Sequence, residues 1–403
     1  MSSAWPGSGG RSSKRRDPRP RTASSTARRS GPTMLDRTAD RGLFGLDWVL
    51  TIAVVLMAGL GMLMIYSATK QRLEMQGTDP GFYAKRQALF TIIGFVAMLV
   101  VARLPNRVVK DMSVPAYVGV LVLLLAVLVI GQESKGAQAW FELGVFQLQP
   151  SEFMKISLAL MLAWFLQKRI GHLDSRAVIL TVVLSAIPIG AILLQPDLGT
   201  AMILGVMMLT VLLVAGAQGR HLAIMTCVAI AFIIVVIQSG QLADYQVDRL
   251  TVFLNADRDV GDAAYNLDQS MIAIGSGGFW GKGLFEGTQT NLSYVPEQHN
   301  DFVFTVVGEE LGFLGAAVVL GMYGLMVWRI WRVGQLSADP YGALLCAAIM
   351  GMFTFQVFQN VGMTMGIMPI TGIPLPFLSY GGSSSLVSFV AIGLVHNVYR
   401  NRA

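Results

Sequence analysis

Apolar stretches separated by short polar segments run along most of the chain, from Asp47 to the C-terminal end. About ten of these stretches approach the roughly 20 apolar residues that an α-helix needs to cross a lipid bilayer. They lie near residues 48–66, 87–104, 114–131, 153–167, 177–194, 199–216, 221–239, 302–328, 341–368 and 379–398. The pattern predicts an all-α polytopic membrane protein of about ten transmembrane helices, with one large extracytoplasmic loop between helices 7 and 8, at about residues 240–301.

The composition supports the same class of protein. The chain is 54% hydrophobic and 13% charged, whereas soluble domains are about one-quarter charged. Its two cysteines, Cys227 and Cys346, both lie in apolar stretches, where cysteine usually packs as a small hydrophobic residue. We therefore expect no disulfide framework.

The first 46 residues differ from the rest because they combine ten Lys or Arg residues with many Ser, Pro, Gly and Thr residues. Such a segment cannot bury enough apolar surface to fold alone, so residues 1–46 are predicted to be a disordered basic tail, followed by a membrane domain at 47–400. A signal peptide is the alternative, although the apolar run at 48–66 is longer than signal peptides have. A basic tail on a membrane protein favours contact with anionic lipid, and no pattern of interleaved aromatic residues indicates nucleic-acid binding.

Lys and Arg residues are more frequent in the tails and in the loops on one side of the predicted bundle. Basic residues usually remain on the cytoplasmic side of the membrane, so both termini are predicted to be cytoplasmic. The first outer loop is an exception, because it contains Lys70, Arg72, Lys85 and Arg86.

Charged residues inside apolar spans are candidates for function because they are costly in hydrocarbon. Glu152 and Lys155 are three residues apart on one helix face, where they can pair with each other or with a neighbouring helix. A purely structural ion pair explains them equally well. Glu309 and Glu310 lie about two turns into the eighth span, and at least one of them needs a polar partner or a wet cavity. Asp197, at an outer turn, is as consistent with a helix cap as with a ligand.

The large outer loop contains the segment AYNLDQSMIAIGSGGFWGKGLF, residues 264–285. Its pattern predicts an amphipathic helix on the membrane surface followed by a tight, glycine-rich turn. The glycine spacing around Lys282 does not match a phosphate-binding P-loop. A turn is the favoured interpretation, and contact of Lys282 with a substrate phosphate is the alternative.

The stretch PEQHND places Glu297, His299 and Asp301 within five residues, directly before the eighth span. An aspartate at that point is a common helix N-cap. Capping does not explain the two neighbouring titratable residues, so a catalytic carboxylate is the other interpretation. A metal site built from these three side chains is weakly supported, because spacing of two residues in a loop specifies no coordination geometry.

Several long motifs in order resemble the SEDS family (shape, elongation, division and sporulation), whose members polymerise bacterial cell-wall glycan. They are KGAQAWFELGVFQLQPSEFMK, QPDLGTA, AYNLDQSMIAIGSGGFWGKGLFEGTQTNL, YVPEQHNDFVFTVVGEELGFLG and PLPFLSYGGSSSL. The likeness covers about residues 45–398. The GTQ and KGAQ stretches are more similar to the RodA branch of the family than to the FtsW branch.

The resemblance implies a peptidoglycan glycosyltransferase of the bacterial plasma (inner) membrane that joins lipid II units into β-1,4 glycan on the extracytoplasmic face, beside a class B penicillin-binding protein. In the family, the aspartate that corresponds to Asp301 is required for activity, and the pair that corresponds to Glu152 and Lys155 lines a central cavity. This sequence departs from the family pattern at two positions. Asn300 stands where Thr is commoner, and Ala139 stands where Arg is frequent, so a basic contact is missing or is supplied elsewhere.

The implied reaction needs a base for the acceptor hydroxyl and cations for the departing pyrophosphate. We expect Asp301 to be the base, and Arg249, Lys282 and Lys155 to be the candidate cations, with Glu297, His299 and Glu152 as supporting residues. No cofactor is required by the sequence, which leaves open a divalent cation that would share this task.

Two other functions fit the same helices. A transporter could flip a lipid-linked sugar, although its key charges would then be expected near the bilayer midplane. A non-catalytic scaffold could recruit a penicillin-binding protein, and it would tolerate replacement of Asp301. The partner surface cannot be located from the sequence, because lipid-facing and partner-facing helix stripes are both apolar.

Overall fold

A computed structural model describes residues 45–134, 137–143, 146–171, 173–221, 223–227 and 262–402. Within these ranges the chain is mainly helical. The helices are α1 Trp48–Met75, α2 Phe82–Arg103, α3 Asn106–Asp111, α4 Ser113–Ile130, α5 Pro150–Leu166, α6 Ser175–Leu193, α7 Leu198–Val214, α8 Asp262–Ser276, α9 Thr288–Asn291, α10 Val303–Gln335, α11 Pro340–Thr364 and α12 Gly382–Arg400.

Six of the described helices, namely α1, α2, α4, α6, α10 and α11, are long and apolar enough to cross a bilayer. Helix α7 is also apolar but has only 17 residues. The polytopic membrane class is therefore confirmed. Most of the predicted seventh span, from residue 228 to 239, lies outside the described residues, as do residues 1–44 of the predicted tail, so the count of ten spans and the disorder of the tail remain predictions.

The expectation of an all-α chain is wrong between α4 and α5. There the chain forms a small antiparallel sheet of three strands in the order β1 Gln132–Ser134, β2 Ala137–Leu143 and β3 Phe146–Leu148. The pairing aligns Ser134 with Ala137 and Leu143 with Phe146. The segment contains aromatic residues, which favour strands. It is too short to span a bilayer, so a sequence pattern that identifies membrane-spanning helices does not detect it.

Helix α5 lies at the centre of the bundle, and nearly all its residues are buried. Helices α2 and α12 pack closely, because Gly94 of α2 lies against the Phe389 ring and Gly393 of α12 lies against the Met98 backbone. A Cβ atom at either glycine would force this pair apart. The side chain of Gln87 also donates to the Ser385 hydroxyl at 2.8 Å. The N-terminal halves of α2 and α12 are thus held side by side.

Helix α10 is interrupted at Gly312, where φ is 63°. At this interruption the backbone of α10 is in direct contact with the backbone of the glycine turn, residues 277–283. Lys282 N–H donates to the Glu309 carbonyl at 3.0 Å, and Phe313 N–H donates to the Gly278 carbonyl at 2.9 Å. Because a Cβ at Gly281 would collide with the backbone of α10, only glycine permits this approach. A helix and a glycine turn are thus present in residues 264–285, while the location of the helix on the membrane surface stays a prediction.

Candidate functional site

A cavity of about 330 Å³ lies where the sheet, the ends of several helices and the segment before α12 meet. Among the residues that the structure describes, four charged side chains line it: Arg86 at the start of α2, Glu152 at the start of α5, Asp197 before α7 and Asp301 before α10. They come from four widely separated parts of the sequence. The cavity therefore brings three carboxylates and one guanidinium together.

Asp301 lies on the cavity wall two residues before α10 begins. The N-cap of α10 is Phe302, and no side chain caps the helix, so the interpretation of Asp301 as the N-cap is wrong. Its backbone is held by Asn360, a fully buried residue of α11 whose amide nitrogen donates to the carbonyls of Asp301 and Ile373 at 2.7 Å each. This bridge keeps the Asp301 segment next to residues 371–374, which form the facing part of the wall.

Glu152 and Lys155 form an ion pair within the first turns of α5, with Lys155 Nζ 2.8 Å from Glu152 Oε1 and 2.7 Å from Oε2. Both side chains are almost completely buried, at 4% and 1% exposure. Glu152 lines the cavity, whereas Lys155 is not among the lining residues. The sequence-predicted pairing is present, and the pair faces the cavity through its carboxylate.

Asp197 combines the two roles that the sequence left open. Its Oδ1 accepts the Thr200 N–H at 2.9 Å and caps α7, while its Oδ2 accepts from the Ser151 hydroxyl at 3.3 Å and the Gln149 amide at 3.4 Å. The same side chain lines the cavity. Because Asp197 links the starts of α5 and α7, it holds the end of α5 that carries Glu152 next to the start of α7.

Arg86 is the one cation among the described lining residues, and it lies beside the aromatic residues Phe90 and Tyr380. Its guanidinium carbon is 5.8 Å from the centre of the Phe90 ring, and all three residues line the cavity. Burial raises the pKa of the Tyr380 hydroxyl, and the nearby Arg86 charge partly opposes that shift. Tyr380 is therefore a neutral hydrogen-bond donor at physiological pH, while Arg86 supplies a positive charge.

The N-terminus of α12 also opens onto the cavity, because Gly381, Gly382, Ser383 and Ser384 are all lining residues. No side chain caps this helix, and the first N–H groups of any helix have no intrahelical acceptor. Such a terminus favours an anion. The Ser383 hydroxyl donates to the Gln147 carbonyl at 2.8 Å and so attaches β3 to this end of α12.

The remaining predicted site residues lie around the cavity or away from it. His299 is buried, with its ring 4.8 Å from that of Tyr83, and its carbonyl accepts the Tyr380 N–H at 2.8 Å. Glu297 accepts a hydrogen bond from the Asn300 side chain. Neither His299 nor Glu297 is a lining residue, and across the described residues no three His, Cys, Asp or Glu side chains group as a metal site.

Lys282 lies at the glycine turn and not in the cavity lining. Its ammonium contacts Glu309 Oε1 at 2.8 Å and the Thr288 hydroxyl at 2.6 Å. The expected polar partner for the eighth span is thus present, because Glu309 pairs with Lys282 and Glu310 accepts from the Ser67 hydroxyl. Arg249 falls outside the described residues.

Two residues of the site were not identified as candidates from the sequence. Arg86 stands out only as part of the basic first outer loop, and that departure from the usual charge asymmetry was its one signal. Asn360 is a polar residue within a predicted span, yet its partners are backbone carbonyls 59 and 13 residues away. A search for charged residues passes over such a side chain.

Comparisons with known proteins agree with this architecture. A family model described as cell cycle protein, for FtsW, RodA and SpoVE, matches residues 47–403. A probable peptidoglycan glycosyltransferase FtsW of Trichlorobacter lovleyi is 36% identical over 87% of this chain and 92% of its own length. The peptidoglycan glycosyltransferase MrdB of Escherichia coli is 35% identical over 87% and 93%, respectively.

A solved structure gives the same result at the level of the fold. It comes from work on the structural coordination of polymerization and crosslinking by a peptidoglycan synthase complex, and its matching chain has a TM-score of 0.76 and 32% identity. The match covers 89% of this chain and 98% of that one. The relatives named FtsW and MrdB are about equally similar, so identity does not assign the chain to one branch of the family. The chain therefore belongs to the FtsW, RodA and SpoVE family.

Proposed function

We propose that this protein is a peptidoglycan glycosyltransferase that polymerises lipid II into β-1,4-linked glycan during cell elongation. The family and the names of the relatives in Trichlorobacter lovleyi and Escherichia coli support this activity. The observation that carries the proposal is the cavity, which combines the Asp301 carboxylate with Arg86 and the open N-terminus of α12. Glycosyl transfer from a pyrophosphate donor needs these two kinds of group: a base and an anion site.

In this proposal Asp301 accepts the proton of the acceptor 4-hydroxyl while that oxygen attacks the anomeric carbon of the donor. The bond from that carbon to the pyrophosphate oxygen breaks, and undecaprenyl pyrophosphate leaves. Because the donor is α-linked and the product is β-linked, the displacement inverts the anomeric centre without a covalent enzyme intermediate. The backbone bond from Asn360 to the Asp301 carbonyl supports this role, because it restrains the segment that presents the base.

The pyrophosphate is assigned to the wall made by Arg86 and the N-terminus of α12. A guanidinium and backbone N–H groups are both strong donors to phosphate oxygens. Ala139, which stands where the family often has Arg, also lines the cavity. In this proposal Arg86 supplies the basic contact to the same cavity from another helix. Lys155 acts through Glu152 in this scheme, and Lys282 has no part in it because its ammonium is bound to Glu309.

As a member of this family with six apolar spans among its described residues, the chain is a multi-pass inner-membrane protein. We further propose that both termini are cytoplasmic and that the cavity opens on the extracytoplasmic face. A class B penicillin-binding protein is the proposed partner, and lipid II is the proposed substrate. The similar solved chain belongs to a peptidoglycan synthase complex that coordinates polymerization and crosslinking, and this similarity supports a partner of that kind.

A polymerisation assay separates the enzyme from its two alternatives. Purified full-length protein with its penicillin-binding partner is incubated with lipid II in detergent, where no second leaflet exists. Formation of glycan chains supports the enzyme. Activity only in sealed vesicles, measured as transfer of lipid II between leaflets, would support a flippase. No activity in either setting, together with normal recruitment of the partner, would support a scaffold.

A further inference from the structure

A second cavity of about 220 Å³ lies between α7 and α11 and belongs to no part of the site described above. Val206 and Thr210 line it from α7, and Met350, Gly351, Thr354, Phe355 and Phe358 line it from α11. Val206 and Thr210 are one turn apart on their helix, as are Thr354 and Phe358 on theirs, so each pair forms one side of a groove. We call this cavity the α7–α11 groove.

The α7–α11 groove is apolar and opens on the surface of the helix bundle. The Thr210 hydroxyl donates to the Val206 carbonyl at 2.8 Å, so the polar group of this side chain is already bonded within α7. Thr354 and Phe358 are exposed, whereas Gly351 is buried where a Cβ would press against Thr210. The glycine therefore allows the two helices to approach closely at the base of the groove. A polar ligand would find few partners there, so the groove suits a hydrocarbon chain.

The depth of the groove also fits a lipid tail. On α7 the groove residues lie about ten positions after Leu198, and on α11 they lie about ten positions before Thr364. At roughly 1.5 Å per residue, both sides are about 15 Å from the helix ends nearest the catalytic cavity. The hydrocarbon core of a bilayer is about 30 Å thick. The groove is therefore close to the middle of the membrane.

The groove and the cavity lined by Asp301 lie along the same face of α7. Thr200 and Ile203 line that cavity, and Val206 and Thr210 line the groove. Ile203 and Val206 are one turn apart, so the last α7 residue of the cavity adjoins the first α7 residue of the groove. A molecule whose polar head occupies the cavity and whose tail follows this face would enter the groove within a turn.

We propose that the groove between α7 and α11 holds the polyprenyl tail of the lipid-linked sugar whose head group occupies the catalytic cavity. The inference rests on the proposed function for the identity of that head group. Ordinary acyl chains compete for any apolar groove, but a tail tethered to a bound head group has a much higher effective concentration beside it. The groove thereby makes tail length part of substrate recognition.

The test fills the groove at an exposed position, so that folding is little affected. Thr354→Phe places a ring in the groove, and the control Val183→Phe places the same ring on α6, at an exposed position outside it. Full-length variants are assayed with lipid II carrying either a full-length or a short, water-soluble prenyl chain. Thr354→Phe is expected to lower kcat/KM for the long-chain substrate by about tenfold and to leave the short-chain rate unchanged, because the ring displaces tail atoms from an apolar pocket. The control should match the unmodified protein on both substrates.

Equal effects of Thr354→Phe on the two substrates, or no effect on either, would overturn the assignment. A second measurement does not depend on turnover: a photoreactive long-chain prenyl pyrophosphate should label residues 206–210 and 350–358, and Thr354→Phe should reduce that labelling. A photoreactive phospholipid that labels the groove equally well would show an ordinary membrane lipid there and overturn the inference. If the unmodified protein polymerises neither form of lipid II, the proposed function fails, and the labelling result still decides whether the groove binds a prenyl chain.

Discussion

Two acid–lysine pairs in this protein differ in how their partners are connected. Glu152 and Lys155 lie three residues apart in α5, and Glu152 lines the cavity that Asp301 also lines. Glu309 of α10 meets Lys282 from the glycine turn, 27 residues earlier in the sequence. Each pair places a carboxylate in a region where an unpaired charge would be strongly unfavourable. Of these two pairs, only the first contributes a residue to the lining of the cavity described above.

The surroundings of the two glutamates explain the difference in role. Besides Lys282, Glu309 accepts from the Gln289 N–H at 2.8 Å and from the Thr290 N–H and hydroxyl at 2.9 and 2.8 Å. These donors use the capacity of the carboxylate for bonds within the protein. Glu309 therefore holds the segment of residues 282–290 against the interrupted helix α10. Pairing of an acid and a lysine does not by itself identify a functional site; access to a cavity separates the two cases.

The largest expected effect on the polymerisation rate is that of Asp301→Asn, a substitution in the lining of the cavity. Removing a general base should reduce the polymerisation rate by about 10²–10⁴-fold. Thermal stability should change little, because asparagine has nearly the size and shape of aspartate and the N-cap of α10 is Phe302. The exposed outer carboxylate Asp79, which pairs with Lys85, provides the control, since Asp79→Asn should retain full activity. Near-normal activity of Asp301→Asn would refute its assignment as the base.

Glu152→Ala tests whether the cavity-side pair is also structural. It leaves Lys155 buried without its partner, which should lower the free energy of unfolding by about 3–5 kcal/mol. The double variant Glu152→Ala with Lys155→Met should recover most of that stability, since apolar replacement of a buried pair is often neutral, but it should not recover activity. Thermal unfolding and the polymerisation assay measure the two effects. Full activity of the double variant would exclude a catalytic contribution from the pair.

Arg86→Ala addresses the proposed pyrophosphate wall. Loss of a charged donor that stabilises the departing group should lower kcat/KM by about a hundredfold. Lys85→Ala is a matched control, because it removes a neighbouring positive charge whose side chain is 73% exposed and bound to Asp79. If the two variants lose activity to the same extent, the effect reflects the general charge of the outer loop and not a contact in the cavity.

The smallest effect is expected for Lys282→Ala in the outer loop. The lysine is 26% exposed and Glu309 keeps its other donors, so the loss should be about 1 kcal/mol of unfolding free energy. The polymerisation rate per folded molecule should stay the same. A large fall in kcat/KM with unchanged thermal stability would instead revive the interpretation that Lys282 contacts a substrate phosphate.

Local patterns explain which features could be predicted. The helices follow from long apolar runs, because a bilayer-spanning segment must satisfy its own backbone hydrogen bonds. The Glu152 and Lys155 pair follows from three-residue spacing on a helix. The strands at residues 132–148 were missed because they are too short to give a strong periodic signal. The N-cap role of Asp301 was wrong because α10 begins two residues later, and helix ends are poorly defined by sequence.

The sequence by itself determined the membrane class, the positions of most described helices, and the identity of Asp301, Glu152 and Lys155 as candidate residues. The tertiary structure decided which charges share a cavity. Arg86 and the N-terminus of α12 are almost 300 residues apart, yet Gly381 N–H donates to Gln87, next to Arg86. It also placed the Lys282 ammonium against Glu309 and outside the cavity lining. Helices arise from contacts within a few residues, whereas a cavity arises from packing between distant helices, which local sequence patterns do not specify.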